Sequence, residues 1–124
     1  MKIIGIGNAI VDVLCKVSDQ YLIENKLTKS TMKLVNEDEF KKLLSTLKIE
    51  ETISGGSVAN SIVGLSQLGN NVGFIGKVNA DGLGEKYEDG LIKEKVQYFY
   101  KKKQEVSPTG TCLILITLMQ KEQW

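Results

Sequence analysis

Gly55-Gly56-Ser57-Val58-Ala59-Asn60-Ser61 is the stretch that decides the fold of this 124-residue chain. Paired glycines allow a tight backbone turn, and the serine and small apolar residues that follow indicate that a helix begins there. Gly69 is placed to end that helix near Leu68. A helix that starts at a glycine turn offers backbone N–H groups to a ligand. Taken alone, however, the stretch is explained by a plain glycine turn with a serine cap.

The segments on either side of this stretch predict an α/β domain with a mostly parallel sheet and a small accessory sheet. Asn36, with Glu39 three residues later, predicts a capping box before an amphipathic helix. The apolar run 2–6 predicts a buried central strand. The predicted strands are 2–6, 10–17, 31–35, 72–78, 96–100 and 111–117. The predicted helices are 18–26, 36–47, 57–68 and 83–95, with Ser18 as the cap of the first and Gly90 a weak point in the last.

The composition excludes several classes of protein. With 42% hydrophobic and 25% charged residues, the chain is one globular domain or part of one. It contains no histidine, which rules out Ser-His-Asp and Cys-His catalysis and histidine metal sites. The net charge of +1 does not favour nucleic acid or an acidic membrane as a partner, and no apolar run is long enough to span a bilayer.

The two cysteines and the N-terminus predict a cytoplasmic protein. Cys15 and Cys112 lack the paired spacing of a metal site, and each lies in an apolar run, where a reduced cysteine behaves as a small hydrophobe. The first apolar run is interrupted by Asn8 and Asp12 and has no cleavage site of small residues, so we do not expect it to be a signal peptide. We expect no metal site and no membrane partner.

Of two common nucleotide-binding motifs, one is incomplete in this sequence and the other is absent. Gly5-Ile6-Gly7-Asn8-Ala9-Ile10 resembles the dinucleotide fingerprint but has isoleucine where the third glycine belongs. No Gly-Lys-Ser/Thr phosphate loop is present anywhere in the chain, which excludes a P-loop NTPase.

Asp12 is the polar residue that its surroundings explain least well. It lies within Ile10-Val11-Asp12-Val13-Leu14, where a buried carboxylate is costly unless it is paired or faces a cleft. A solvent-facing place on an edge strand explains it equally well. Combined with Gly55-Gly56 and the amide of Asn60, however, the carboxylate completes a set of groups suited to binding the hydroxyls of a ribose or sugar.

These residues resemble the PfkB (ribokinase-like) family of kinases, and its adenosine kinases most of all. The family signature is matched by Gly55-Gly56 with Asn60, by Phe74-Ile75-Gly76-Lys77-Val78, and by Asp81-Gly82-Leu83-Gly84. The spacing from Asn8 to Asp12 is similar to that of adenosine kinases. Asn79 departs from the family, many of whose members have glycine there.

The resemblance implies an ATP- and Mg²⁺-dependent transfer of phosphate to a hydroxyl of a small molecule, adenosine or a sugar. It also implies part of a ribokinase-like fold, with a small β lid whose strands are 10–17, 31–35 and 111–117. Asp12 would bind ribose hydroxyls, Gly55, Gly56 and Asn60 would complete the grip, and Asn8 and Ile10 would line the base side.

The chain departs from the family towards its end. Family kinases take their catalytic base from a Gly-Ala-Gly-Asp motif that this sequence lacks, so residues 1–117 are expected to be an N-terminal portion, inactive alone and without its own ATP-binding half. Residues 118–124 fit no family element, but shifting the reading frame by one base permits the family's Pro-Asp-x-x-Arg-Thr-Met. We therefore expect a frameshift near Thr117.

Two other functions stay open at this point. The chain could be a non-catalytic nucleoside- or ribose-binding fragment, or a subunit that pairs with a separate C-terminal half. In either case, exposed strand edges predict self-association.

Overall fold

A computed structural model describes residues 1–118 and shows the predicted α/β class of fold. The strands are β1 (Lys2–Ile6), β2 (Ile10–Val17), β3 (Glu51–Gly55), β4 (Asn71–Ile75), β5 (Gln97–Tyr98) and β6 (Gly110–Thr117). The helices are α1 (Asp19–Glu24), α2 (Glu37–Ser45), α3 (Ser57–Gln67) and α4 (Gly82–Lys93).

The chain divides into two compact units. The first contains Met1–Asp12 and Thr52–Cys112, and therefore includes β1, α3, β4, α4 and β5. The second contains Val13–Glu51 together with 113–118 of the described residues, and includes α1 and α2. All six residues of the predicted substrate site lie in the first unit.

The first unit is built on a parallel sheet with the strand order β1-β4-β5. β1 and β4 pair from Lys2 opposite Asn71 to Ile6 opposite Ile75. β4 is central, and its residues 72–74 are buried. The prediction that 2–6 is a buried central strand was wrong, because β1 has one neighbour among the described strands and leaves Ile4 exposed. A short apolar run has the same pattern at a sheet edge as at its centre.

Helices α3 and α4 pack on this sheet. α3 approaches β1 closely because Gly5 has no side chain: an added Cβ there would lie 2.6 Å from Cγ1 of Ile62. On α4, Tyr87 is fully buried, with its ring 6.2 Å from that of Phe74 and 6.1 Å from that of Tyr98. These aromatic contacts form part of the core of the first unit, together with aliphatic residues such as Ile62, Val72 and Leu91.

The second sheet has the strand order β3-β2-β6, and it corrects the prediction of a strand at 31–35. Residues 31–35 form no strand, and Met32 and Leu34 are 85% and 89% exposed. β2 already has a neighbour on each side, so this weakly alternating segment has no place beside it. The third strand is instead β3, which the sequence analysis did not assign.

The helix starts in the second unit confirm the predicted caps. Ser18 Oγ accepts a hydrogen bond from Tyr21 N at 3.1 Å, and Asn36 Oδ1 accepts one from Glu39 N at 2.8 Å. Both bonds satisfy backbone N–H groups that the first turn of a helix leaves free. α1 ends at Glu24, two residues before its predicted end.

Three other predictions concern the cysteines, the membrane and the tail. Both cysteines are free thiols: Cys15 is buried as a small hydrophobe would be, whereas Cys112 is exposed. No helix within residues 1–118 is long and apolar enough to cross a membrane. The predicted frameshift concerns 118–124, of which 119–124 lie outside the described residues.

Candidate functional site

The site centres on Asp12, which contacts the glycine turn before α3. Its neighbours in β2, Val11 and Val13, are buried, and strand alternation directs Asp12 to the opposite face. There the carboxylate lies against Gly55, where an added Cβ would be 2.7 Å from Oδ2 and 3.2 Å from Oδ1 of Asp12. Only glycine at position 55 leaves room for the carboxylate in this place.

The Asp12 carboxylate has no partner of its own among residues 1–118. No described group forms a hydrogen bond or an ion pair with it. Burial raises the pKa of the Asp12 carboxyl, because desolvation disfavours the charged form. Partial desolvation and the nearby charge of Asp12 also raise the pKa of the Cys112 thiol, although the residue is exposed to solvent. A carboxylate that is partly desolvated and unpaired is well suited to accept hydrogen bonds from ligand hydroxyls.

Gly56 makes the turn into α3. Its φ of 105° lies in the left-handed region, and an added Cβ would collide with the carbonyl oxygen of Asn8. Glycine is required there on both counts. Gly56 is the N-cap of α3 and Ser57 is the first helical residue, so the alternative of a plain serine cap does not hold: no side chain caps the helix. The first backbone N–H groups of α3 are therefore left to solvent or a ligand.

The structure brings four of the six predicted residues together. Asp12 contacts Gly55, and the Asn8 backbone contacts Gly56. Asn60 lies on the first turn of α3, with its backbone N donating to Gly56 O at 2.9 Å and its side chain exposed. Ile10 is half-buried at the start of β2, where its Cγ1 lies 3.9 Å from the position of an added Cβ on Gly110, and its place on the base side stays a prediction.

Comparison with known proteins decides the family. The model of the pfkB family of carbohydrate kinases matches residues 31–123, three quarters of the chain. The chain belongs to the PfkB family. This match, together with the solved relatives, confirms the resemblance stated from the sequence, although the boundary at residue 117 stays a prediction because the matched range extends beyond it.

Relatives of this PfkB chain include both nucleoside and sugar kinases. The structure of adenosine kinase from Sinorhizobium meliloti is similar with a TM-score of 0.79 and 34% identity, over 94% of this chain and 36% of that one. Fructokinase of Escherichia coli is 40% identical over 60 residues, which cover 48% of this chain and 20% of the relative. Adenosine kinase 2 of Arabidopsis thaliana is 27% identical over 92% of this chain and 34% of its own. The chain thus spans between a fifth and about a third of these relatives.

The sequence analysis missed Tyr87 and Ser54, whose hydrogen bonds hold the Gly55-Gly56 turn in place. Tyr87 Oη donates to Gly55 O at 3.1 Å, and Ser54 Oγ donates to Tyr87 O at 2.9 Å. A tyrosine at an apolar helix position is normally interpreted as core, so nothing in the sequence distinguished it. Gly90 was the available signal, since a side chain there would collide with Ser54 Oγ.

A second cluster that the sequence analysis missed anchors the segment 79–81, which leads into α4. Asp81 Oδ1 accepts hydrogen bonds from Gly84 N and Thr109 Oγ1, each at 2.7 Å, and its Oδ2 accepts one from Thr109 N at 3.2 Å. Asn79 Oδ1 accepts from Glu105 N at 2.8 Å. Asn79, the residue that departs from the family, therefore binds the loop that leads into β6.

The described residues do not fit a magnesium–nucleotide site. Residues 1–118 contain no group of three or more Cys, Asp or Glu side chains that could hold a metal ion. PfkB kinases generally use ATP, but the chain has no phosphate loop and no Gly-Ala-Gly-Asp segment. The unpaired carboxylate of Asp12 and the uncapped N–H groups of α3 are groups that can bind a polar ligand.

Proposed function

We propose that this chain forms the acceptor-binding part of a PfkB kinase, which transfers phosphate from ATP to a hydroxyl of a nucleoside or sugar. One observation carries the proposal: the unpaired Asp12 carboxylate lies directly against the Gly55-Gly56 turn. A carboxylate with two free oxygens can accept hydrogen bonds from two adjacent hydroxyls.

The remaining residues of the site would complete the grip. The glycines at positions 55 and 56 leave room for Asp12 and the Asn8 carbonyl, and the uncapped N–H groups of α3 would provide donors to a ligand. Asn60, on the first turn of α3, has an exposed side chain whose amide would add to these groups. Asn8 and Ile10 would line the base side of a bound nucleoside.

Adenosine is the acceptor that we favour. The spacing between Asn8 and Asp12 is similar to that of adenosine kinases, and the structure from Sinorhizobium meliloti, similar over 94% of this chain, is an adenosine kinase. A sugar is the second candidate, because the Escherichia coli relative is named fructokinase and shares 40% identity over 60 residues.

We propose that these 124 residues do not transfer phosphate alone. Catalysis of phosphoryl transfer depends on aligning the donor with the acceptor and stabilising the charge that develops. None of the residues described here is placed to align ATP, the phosphate donor. Mg²⁺ and ATP are nevertheless expected to bind a whole family member. Two alternatives therefore remain: a non-catalytic binding fragment, or a subunit that pairs with a separate C-terminal half. A cytoplasmic location also stays a prediction.

The test combines ligand binding with a kinase assay. Saturation-transfer NMR on the chain is expected to show binding of adenosine, and weaker or no binding of fructose. Incubation with Mg²⁺ and ATP is expected to yield no phosphorylated product. Product formation by the chain alone would contradict its inactivity, and binding of neither acceptor would contradict the site. Activity restored by the remaining two thirds of a PfkB kinase would favour the subunit alternative.

A further inference from the structure

Tyr87 has a buried hydroxyl group that acceptor binding does not use directly. The residue is 0% exposed, and its Oη donates to the carbonyl oxygen of Gly55 at 3.1 Å. A buried hydroxyl without a partner would be costly, so this bond fixes where the β3 carbonyl can lie. Burial raises the pKa of the Tyr87 phenol, so the group stays protonated and remains a donor.

A second hydrogen bond joins the same two elements in the opposite direction. Ser54 Oγ donates to the backbone carbonyl of Tyr87 at 2.9 Å. The helix approaches this closely because position 90 is glycine, and any side chain there would collide with Ser54 Oγ. We call the two bonds, Tyr87 to Gly55 and Ser54 to Tyr87, the β3–α4 clamp.

The clamp acts on Gly55, the residue that contacts the carboxylate of Asp12. Gly55 is held by Tyr87 through its carbonyl group, and its α-carbon side contacts Asp12. We infer that Tyr87 is a positioning residue, which keeps the Gly55-Gly56 turn pressed against Asp12 so that the carboxylate stays partly desolvated and correctly placed for acceptor hydroxyls. This inference rests on the proposed function of the site.

Replacement of Tyr87 by phenylalanine tests the inference, because it removes the hydroxyl and keeps the ring. Tyr98→Phe is the matched control, since Tyr98 Oη donates to the carbonyl of Gly76, which is outside the acceptor site. We would measure two quantities on the whole 124-residue chain: the pKa of Asp12 by carbon-detected NMR, and the dissociation constant for adenosine by calorimetry.

We expect Tyr87→Phe to lower the pKa of Asp12 towards its ordinary value, because a released turn admits water. We also expect it to weaken adenosine binding by about three- to tenfold, the equivalent of one hydrogen bond. Tyr98→Phe should leave the pKa unchanged and weaken binding by less than about twofold, although it too costs stability. If Tyr87 had a merely structural role, the two variants would have the same pKa of Asp12 and the same affinity for adenosine.

The two readouts separate failure of this inference from failure of the proposed function. If folded Tyr87→Phe leaves the pKa of Asp12 unchanged, the inference is overturned. If the wild-type chain binds neither adenosine nor fructose while Tyr87→Phe still lowers that pKa, the proposed function fails and the positioning role stands. Should Tyr87→Phe not fold, the same measurement on Ser54→Ala, which removes the other bond of the clamp, decides the question.

Discussion

The carboxylate of Asp12 occupies the space that a side chain at position 55 would need, since an added Cβ on Gly55 would lie 2.7 Å from Asp12 Oδ2. A strand residue and a turn residue 43 positions apart in the chain therefore depend on each other. The Asp12 carboxylate is partly desolvated because it lies against Gly55, and residue 55 must be glycine because the carboxylate occupies the space of a side chain.

Gly55→Ala should damage both stability and binding. The new methyl group displaces Asp12 or the turn, and overpacking of this kind costs about 1–3 kcal/mol in the free energy of unfolding. Adenosine binding should be lost in the same variant because the carboxylate is moved. Gly64→Ala in α3 is the control, since nothing lies within 4 Å of an added Cβ there. It should gain up to about 1 kcal/mol from helix propensity. Denaturant titration measures the stability of both variants. Equal free energies of unfolding for Gly55→Ala and Gly64→Ala would argue against the contact between Gly55 and Asp12.

Asp12→Asn should stabilise the fold while abolishing acceptor binding. Burial raises the pKa of Asp12 in the folded state, so its ionised form destabilises the chain once the pH is above that pKa. The stability contributed by the protonated form is fully present below the unfolded pKa, near 3.9, and is lost as the pH rises through the folded pKa. The variant should therefore melt higher than wild type at neutral pH, and the difference should shrink in acid. A lower melting temperature at pH 7 would show that Asp12 serves stability instead.

Sequence patterns predicted the local parts of this structure and missed the non-local ones. The caps at Ser18 and Asn36 depend on residues three positions away, and both were correct. Whether 2–6 is a central strand, and whether 31–35 joins a sheet, depends on which distant strands compete for the same edges. Short apolar runs do not carry that information, and both predictions failed.

The same distinction applies to the site. Asp12 and the Gly55-Gly56 turn were identified because a carboxylate in an apolar strand and a doubled glycine are unusual within their own segments. Tyr87 was missed, since its role comes from a hydrogen bond to a residue 32 positions earlier, on another element. Ile10 was assigned to the site by the family resemblance alone, and its role there stays a prediction.

Asp81→Ala should destabilise the first unit more than removal of an ordinary helix cap. Asp81 caps α4 through Gly84 N and also accepts two hydrogen bonds from Thr109, so we expect a loss of about 2–3 kcal/mol. Ser18→Ala, which removes a single cap bond at α1, should cost about 1 kcal/mol. A loss for Asp81→Ala no larger than for Ser18→Ala would show that the Thr109 bonds contribute nothing.

The Asp81 cluster also predicts a dependence on pH. Burial acts to raise the pKa of Asp81, but hydrogen bonds from Thr109, Gly84 and Asn79 outweigh it, and the pKa is lowered. The resulting stability is present above the unfolded pKa, near 3.9, and is lost as the pH falls through the lower folded pKa. Wild type should therefore lose its advantage over Asp81→Asn in strong acid, as followed by thermal melts. An advantage that persists at the lowest pH would contradict this.

The first sheet leaves apolar side chains exposed, and this predicts self-association. Ile4 and Ile6 of β1 are 49% and 72% exposed, whereas parallel sheets in α/β proteins normally have both faces covered. Sedimentation velocity should show a concentration-dependent increase in mass for wild type, which Ile4→Lys combined with Ile6→Lys removes. Leu68→Lys, at a position 80% exposed beyond α3, should leave the association unchanged. A wild-type chain that stays monomeric at its highest soluble concentration would contradict the prediction.

Calorimetric titration of adenosine into the wild-type chain, Asp12→Asn and Asp89→Asn tests the central claim most directly. Asp89 is an exposed carboxylate on α4, so its variant makes the same change in charge away from the site. We predict that wild type and Asp89→Asn bind adenosine with the same affinity and that Asp12→Asn does not bind it. Equal binding by all three chains would contradict the assignment of Asp12 as the acceptor-binding carboxylate.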